Sequence, residues 1–484
     1  MDVLVVDLTH GGVTIAIKLA ELNYFNNIYA YDLYGTLKNQ NKRELLRNNI
    51  IIIGDVCELN KNSNELLISY PIHSPLKPSE IREKIKWNNG LNLTHHKTVQ
   101  LILKQWKKRI KKEKIAIIEV TGVKGKTSTV SLLKSILKDY NPLVLTSLGA
   151  SLTLNNETIS LKKNISINPA SILQTVELAD NIIKQTSDDL VIKRKDDYKI
   201  AIFESSLGTT GFGDIGILTN IIENYKIAKN ISNAQIAKEQ VFNNEYVVID
   251  YYTLINFYPG KIGRDKLNSF KLKDDNDEAN LIATKIKYDF ETSKIEVKYT
   301  NIKTIHGNEL NGELTVETFA FGEHHVLNVL GAITAALTLE IDEKTIKEGL
   351  KGFKPVGGRS SIQFKDNIKI IEEINPGLNV KAIEKTFDAF EDLSNYSIIL
   401  GGKYGVTCEE INEFELSKVL DELIYEQEGC DLILVDELGE NIVNKMENKV
   451  KFINDYIKAQ EIAIKKGKDI IFIYRSNYSQ INKR

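Results

Sequence analysis

The run Thr121-Gly122-Val123-Lys124-Gly125-Lys126-Thr127-Ser128 has the chemistry to hold phosphate. It follows an apolar stretch, Ile115 to Val120, that reads as a strand, and it opens a helical pattern through Val130, Leu132, Leu133 and Leu137. Glycines let successive backbone N–H groups turn inward, and the helix N-terminus adds a positive dipole, so the two together cradle an anion. In such a loop Lys126 reaches the β- and γ-phosphates and the Thr127 hydroxyl binds Mg²⁺. Gly122, Val123, Lys124, Gly125, Lys126, Thr127 and Ser128 are therefore predicted to bind nucleotide. Two residues separate the glycines here, where the common phosphate loop has four, which weighs against an ordinary kinase or GTPase.

A second predicted strand, Ile200 to Phe203, ends in Glu204-Ser205-Ser206-Leu207-Gly208. An acid at a strand's carboxyl end, near a phosphate loop, is placed to hold Mg²⁺, although a surface carboxylate fits the same pattern. Further along stand Thr219-Asn220-Ile221, Glu223-Asn224, Lys238, His324-His325 with Asn328, and Gly358-Arg359. Taken alone, Lys238 reads as an exposed helix lysine.

This ordered set resembles the Mur ligase family, ATP-dependent ligases of peptidoglycan and polyglutamylfolate synthesis. The resemblance implies three domains: an N-terminal Rossmann-like substrate domain over 1–113, a central P-loop ATPase over 114–355 and a C-terminal Rossmann-like domain over 356–484. It implies ATP and Mg²⁺ as cofactors, with Thr127, Glu204 and Lys238 at the metal, the last as a carbamate. It also implies adenine at Asn328, Arg359 near the phosphates, and Glu372 or Glu373 near the ribose. Two departures stand out. Glu223-Asn224 replaces the usual Asp-His after Thr-Asn-Ile, and His324-His325 replaces His-Asn.

The first domain carries His10 in Asp7-Leu-Thr-His10-Gly11-Gly12, the strand-end acid Asp32, His73, and the pair His95-His96. These histidines are either turn and core residues with satisfied hydrogen bonds or part of a substrate pocket. His10 follows a strand end and is the best placed acid or base. The catalytic set is then Lys126, Glu204, Lys238 and His10. The chain looks most like the methanogen branch of the family, which implies a nickel-tetrapyrrole acid as substrate. In that branch a side-chain carboxylate is phosphorylated and a carbocyclic ring is closed through a carbon–carbon bond. An amino-acid-adding ligase, for cell-wall peptide or polyglutamate, and a nucleotide-gated binding protein are the alternatives.

Short β-rich runs alternate with Lys/Glu-patterned helical stretches, the pattern of an α/β chain whose domains are mainly parallel sheets with flanking helices. At 484 residues the chain has room for about three such domains. Lys+Arg 63 against Asp+Glu 65 leaves a net charge of −2, which argues against a nucleic-acid binder. The longest apolar runs, such as Ile50 to Ile53, are far short of the roughly 20 residues that span a membrane. No membrane partner and no secretory leader are expected, which implies a soluble, cytoplasmic protein. Cys57, Cys408 and Cys430 show no metal or disulfide spacing and are expected to be small buried hydrophobes. The basic stretch Lys104 to Lys114 reads as a solvated linker helix, and Thr186 to Lys199 and Lys271 to Asn280 as exposed polar stretches.

Overall fold

The computed structural model describes the chain except residues 61–63, 110–114, 189–196, 228–230, 274–277, 289–291, 321, 356, 358, 389, 391, 406–410, 428, 477 and 482–484. Side chains at 109, 185–188, 359, 360 and 479 are likewise outside the description. Among the described residues the strands that shape the site form three sheets, each dominated by parallel pairing.

The first sheet runs, edge to edge, Ile51–Ile53, Ile28–Tyr31, Asp2–Val6, Leu66–Tyr70, Asn92–Thr94, all parallel. Its sequence order reverses between Asp2–Val6 and Leu66–Tyr70, as in a Rossmann sheet. Asp2–Val6 is buried along its whole length because both faces are covered, one by helices Val13–Ala20 and His95–Arg109 and the other by helix Pro78–Ile85 and the turn Val56–Glu58.

The central sheet is built on parallel neighbours in the order Tyr246–Asp250, Ile215–Leu218, Ala116–Thr121, Ile200–Glu204, Leu143–Thr146. It is extended by Leu267–Leu272 and Leu281–Lys287, then by the antiparallel strands Ser293–Lys303 and Glu309–Thr318. The third sheet orders Arg359–Lys365, Ile368–Ile374, Asp469–Arg475, Tyr396–Gly402, Asp431–Val435, Lys451–Ile453, with only the first pairing antiparallel. The limits 113/114 and 355/356 fall between sheets and on or beside residues outside the description; we propose them as the domain boundaries.

Helix Val13–Ala20 and helix His95–Arg109 of the first sheet pack on helix Pro169–Asp188 of the central one, and a single apolar cluster joins them. Lys18 bridges to Glu177 at 2.6 Å, and the Trp106 indole donates to Asp180 at 2.8 Å. Of the basic stretch, the described part closes helix His95–Arg109 with Trp106 buried and Lys104 and Lys108 exposed, and residues 110–114 lie outside the description. Val99, Ile102, Leu103 and Trp106 recur at i, i+3, i+4 and i+7 and are buried, so the described part is an amphipathic packing helix. Two other expectations change. Lys271 is fully buried over the Tyr251 ring, and Cys57 is exposed because Val56 takes the core side of a short capped turn. Cys430 is half-buried, burial beside Asp431 pushing its thiol up to about 11, and Cys408 lies outside the described residues. No helix among the described residues is long and apolar enough to cross a membrane.

Candidate active site

Three adjacent parallel strands of the central sheet end side by side, and the phosphate loop leaves the middle one, at the edge where α/β sheets bind ligands. The loop turns into helix Lys126–Ile136, whose first N–H groups have no partner within the helix. Its shape is held by the next strand end. The Asn220 carbonyl accepts from the Val123 N–H at 3.0 Å, its side-chain oxygen from the Lys124 N–H at 3.0 Å, and the Thr219 hydroxyl donates to the Lys124 carbonyl at 2.6 Å. Gly125 has φ +88°, and a Cβ there would sit 1.9 Å from Asn328 Oδ1, so only glycine allows this approach. The Lys126 ammonium lies over the loop, donating to the carbonyls of Gly122 (3.0 Å) and Val123 (3.2 Å).

The Thr127 hydroxyl donates to both Glu204 oxygens, at 2.9 and 3.0 Å, and the Ser147 N–H donates to the same carboxylate at 3.0 Å. Two ligands in adjacent octahedral positions on Mg²⁺, each ~2.1 Å away, stand about 3.0 Å apart. The oxygen pair therefore fits one edge of a Mg²⁺ coordination sphere.

Lys238 is fully buried, which overturns its reading as an exposed helix lysine. The short helix Ala234–Lys238 is capped by Asn233 and turns the side chain inward, where Nζ donates to the Ser206 carbonyl (2.8 Å) and the Tyr225 hydroxyl (3.3 Å). Both partners line the central cavity.

That cavity, of about 1020 Å³, is walled by all three sheets: the phosphate loop, Glu204 and Asn328 on one side, Glu373 on another, and His10, His73, His95 and His96 opposite. The strand ends of the first sheet bring the four histidines together although they are scattered in sequence. Asp7, at φ +69°, caps the turn Leu8–Gly12, accepting from the Thr9 N–H at 2.8 Å, and its other oxygen meets His10 Nδ1 at 2.6 Å. Burial pushes the Asp7 carboxyl up, but the hydrogen bond and charge of His10 outweigh it and hold it below the usual range. His10 meets His73 edge-on, ring centroids 4.8 Å apart.

The expectation of hydrogen-bonded histidines is met in part: His10 Nδ1 meets Asp7, and His95 Nδ1 meets the Ser69 hydroxyl at 2.9 Å. His73 Nδ1, His95 Nε2 and both nitrogens of His96 lack a partner in hydrogen-bonding geometry although these residues are buried. Burial lowers His95 to about 4 and His96 to about 3, against smaller opposing contributions from Asp7 and the Gly208 backbone. These rings are neutral at pH 7.

Other expected residues divide. Glu373 lines the cavity, with Lys124 Nζ 4.0 Å away, whereas Glu372 is turned to Ser361 and Gln363. Arg359 starts a strand in register with Glu373; its side chain is outside the description, as is Gly358. Asp32 accepts from the N–H groups of Thr36 and Leu37 and serves its own loop. Asn224 caps Gln235 at 2.9 Å and is exposed, so the replacement of Asp-His leaves a structural cap in that place. His324 and His325 share a helical face beside Asn328, their rings 4.2 Å apart.

Sequence reasoning missed Ser147, which has no motif, and Glu119, which does leave a signal. Glu119 is a lone carboxylate inside the apolar strand Ala116–Thr121, and it is buried. It accepts from the Thr210 hydroxyl and from the N–H groups of Thr210, Gly211, Phe212 and Gly213, and so hangs the loop after Glu204.

Residues 362–477 match the family described as coenzyme F430 synthetase CfbE, C-terminal domain. Over 465 residues the chain is 29% identical to the coenzyme F(430) synthetase of Methanocaldococcus jannaschii, covering 93% of this chain and 96% of that one. The corresponding protein of Methanosarcina acetivorans is 29% identical over 418 residues, 84% of each chain. The crystal structure of MurF ligase from Thermotoga maritima in complex with ADP matches with a TM-score of 0.55 at 14% identity, covering 94% of this chain and 92% of that one. The chain thus has the fold of the Mur ligases, and it resembles the coenzyme F430 synthetases along nearly its whole length.

Proposed function

We propose that the chain is an ATP- and Mg²⁺-dependent ligase that activates a side-chain carboxylate of a nickel seco-tetrapyrrole acid and closes a carbocyclic ring, giving coenzyme F430. One observation carries the reading. A single cavity joins a phosphate loop, with its Thr127–Glu204 pair, to a wall of histidines on a separate sheet, with room between them for a large acid.

A carboxylate is a poor electrophile because resonance spreads its charge, and it repels the γ-phosphate. In the first step a carboxylate oxygen attacks the γ-phosphorus, the bond to the β-phosphate oxygen breaks, and ADP leaves. Lys126 and Arg359 offset the charge that accumulates in this in-line transfer. Thr127 and Glu204 would hold Mg²⁺, which would supply positive charge against the phosphate oxygens. Lys238, as a carbamate, would turn a cation into an oxygen donor for a second Mg²⁺. Asn328 is the residue assigned to bind the adenine. In the second step a carbon of the substrate attacks the acyl carbon, phosphate departs, and the attacking carbon loses its proton. His10, fixed through Nδ1 by Asp7, is the group assigned to move it.

The Mur fold itself favours one other reading, the addition of an amino acid. ADP release measured with the nickel seco-tetrapyrrole acid, and separately with a panel of amino acids, decides between them. We expect release with the tetrapyrrole acid alone; release only with an amino acid and an acyl acceptor overturns the proposal.

A further inference from the structure

We propose that Asp7, His10 and His73 form a binding site for a divalent transition-metal ion of the Zn²⁺, Co²⁺ or Ni²⁺ class on the cavity wall, separate from the oxygen pair at Thr127 and Glu204. One donor atom from each of the three residues lies within 4.8 Å of the others. Two imidazoles and one carboxylate suit these ions, whereas Mg²⁺ and Ca²⁺ prefer all-oxygen surroundings.

The place is set by topology. Asp7 and His10 follow strand Asp2–Val6 and His73 follows Leu66–Tyr70, the two neighbours between which the order of the first sheet reverses. That crevice is where sheets of this kind take ligands. A second observation points the same way. His73 is nine-tenths buried, 9% exposed, yet its Nδ1 has no hydrogen-bond partner. A buried polar atom left without a partner carries a cost that a bound ion would remove.

Three protein ligands leave a coordination position open toward the cavity, as catalytic sites do. Binding of a free ion does not depend on the tetrapyrrole reading.

The test uses the full chain, stripped of metal by chelator and held in saturating Mg²⁺ to mask the oxygen pair. Co²⁺ is titrated in and its visible ligand-field absorption recorded. We expect one Co²⁺ per chain with nitrogen-type bands, and at least a tenfold loss of affinity in His73→Gln and in Asp7→Asn. An ATP analogue is bound to each preparation as a check of the phosphate loop and of folding, so failure of the nucleotide reading is told apart from failure of this site. If His73→Gln does not fold, Asp7→Asn decides alone. No Co²⁺ bands below millimolar concentration, or bands of equal affinity in a folded variant, overturn the assignment.

Discussion

Thr127 and Glu204, 77 residues apart in the chain, meet through a hydroxyl that donates to both carboxylate oxygens at 2.9 and 3.0 Å. The strand pairing behind them sets this contact, since Ala116–Thr121 and Ile200–Glu204 run in register and end together. The oxygen edge is thus formed before any ion arrives. Glu204→Gln keeps the shape and removes the charge. It should lower the rate of ADP formation by about 100-fold, the usual scale for losing one such electrostatic contact, with little change in thermal stability. Lys126→Ala should do the same, and steady-state ADP release reads both.

Gly125 and Asn328 make a second sharp test. Gly125→Ala must adopt φ +88° and push a methyl group into the Asn328 amide. It should destabilise the fold by about 1–2 kcal/mol and weaken nucleotide binding more than Asn328→Ala does. Urea unfolding and fluorescent-nucleotide titration separate the two effects.

The phosphate loop was legible because its chemistry is local: strand, glycines, Lys126, Thr127 and helix lie within one short stretch. The alternation of strands and helices likewise foretold three mainly parallel sheets. The histidine wall was not legible as a unit. His10, His73 and His95 come from three strand ends, and only sheet order makes these neighbours. Lys238 read as exposed because its helix is too short to show an inward face. The basic stretch read as a linker because its charges mask the apolar spacing of Val99, Leu103 and Trp106.

Acid should weaken the fold through His95 and His96. Unfolded, each ring takes up a proton near pH 6.5; folded, burial delays this to about 4 and about 3. Between those limits the unfolded state holds more protons, so stability is full above pH 6.5 and falls as pH drops toward 4. The slope is about 1.4 kcal/mol per pH unit for each ring. Urea unfolding from pH 7 to 4.5 should show a shallower fall in a His95→Gln/His96→Gln variant than in the parent chain. Parallel curves would show that neither ring is held neutral.

Glu119 should matter for folding and, through its loop, for catalysis. In Glu119→Gln an amide NH₂ faces donors that now point at a carboxylate, among them the Gly211 and Gly213 N–H groups. A loss of about 3 kcal/mol is expected, read from urea midpoints. ADP formation should fall with it, because the same loop follows Glu204 and carries Ser206 to Lys238.

The central claim is that ATP places its γ-phosphate on a carboxylate of a tetrapyrrole acid. Hydroxylamine added to the full chain with ATP, Mg²⁺ and the nickel seco-tetrapyrrole acid tests it directly. The account predicts a tetrapyrrole hydroxamate, identified by mass, formed with equal ADP and about 100-fold more slowly in Glu204→Gln. ADP without hydroxamate, or ring closure without ADP, would contradict it.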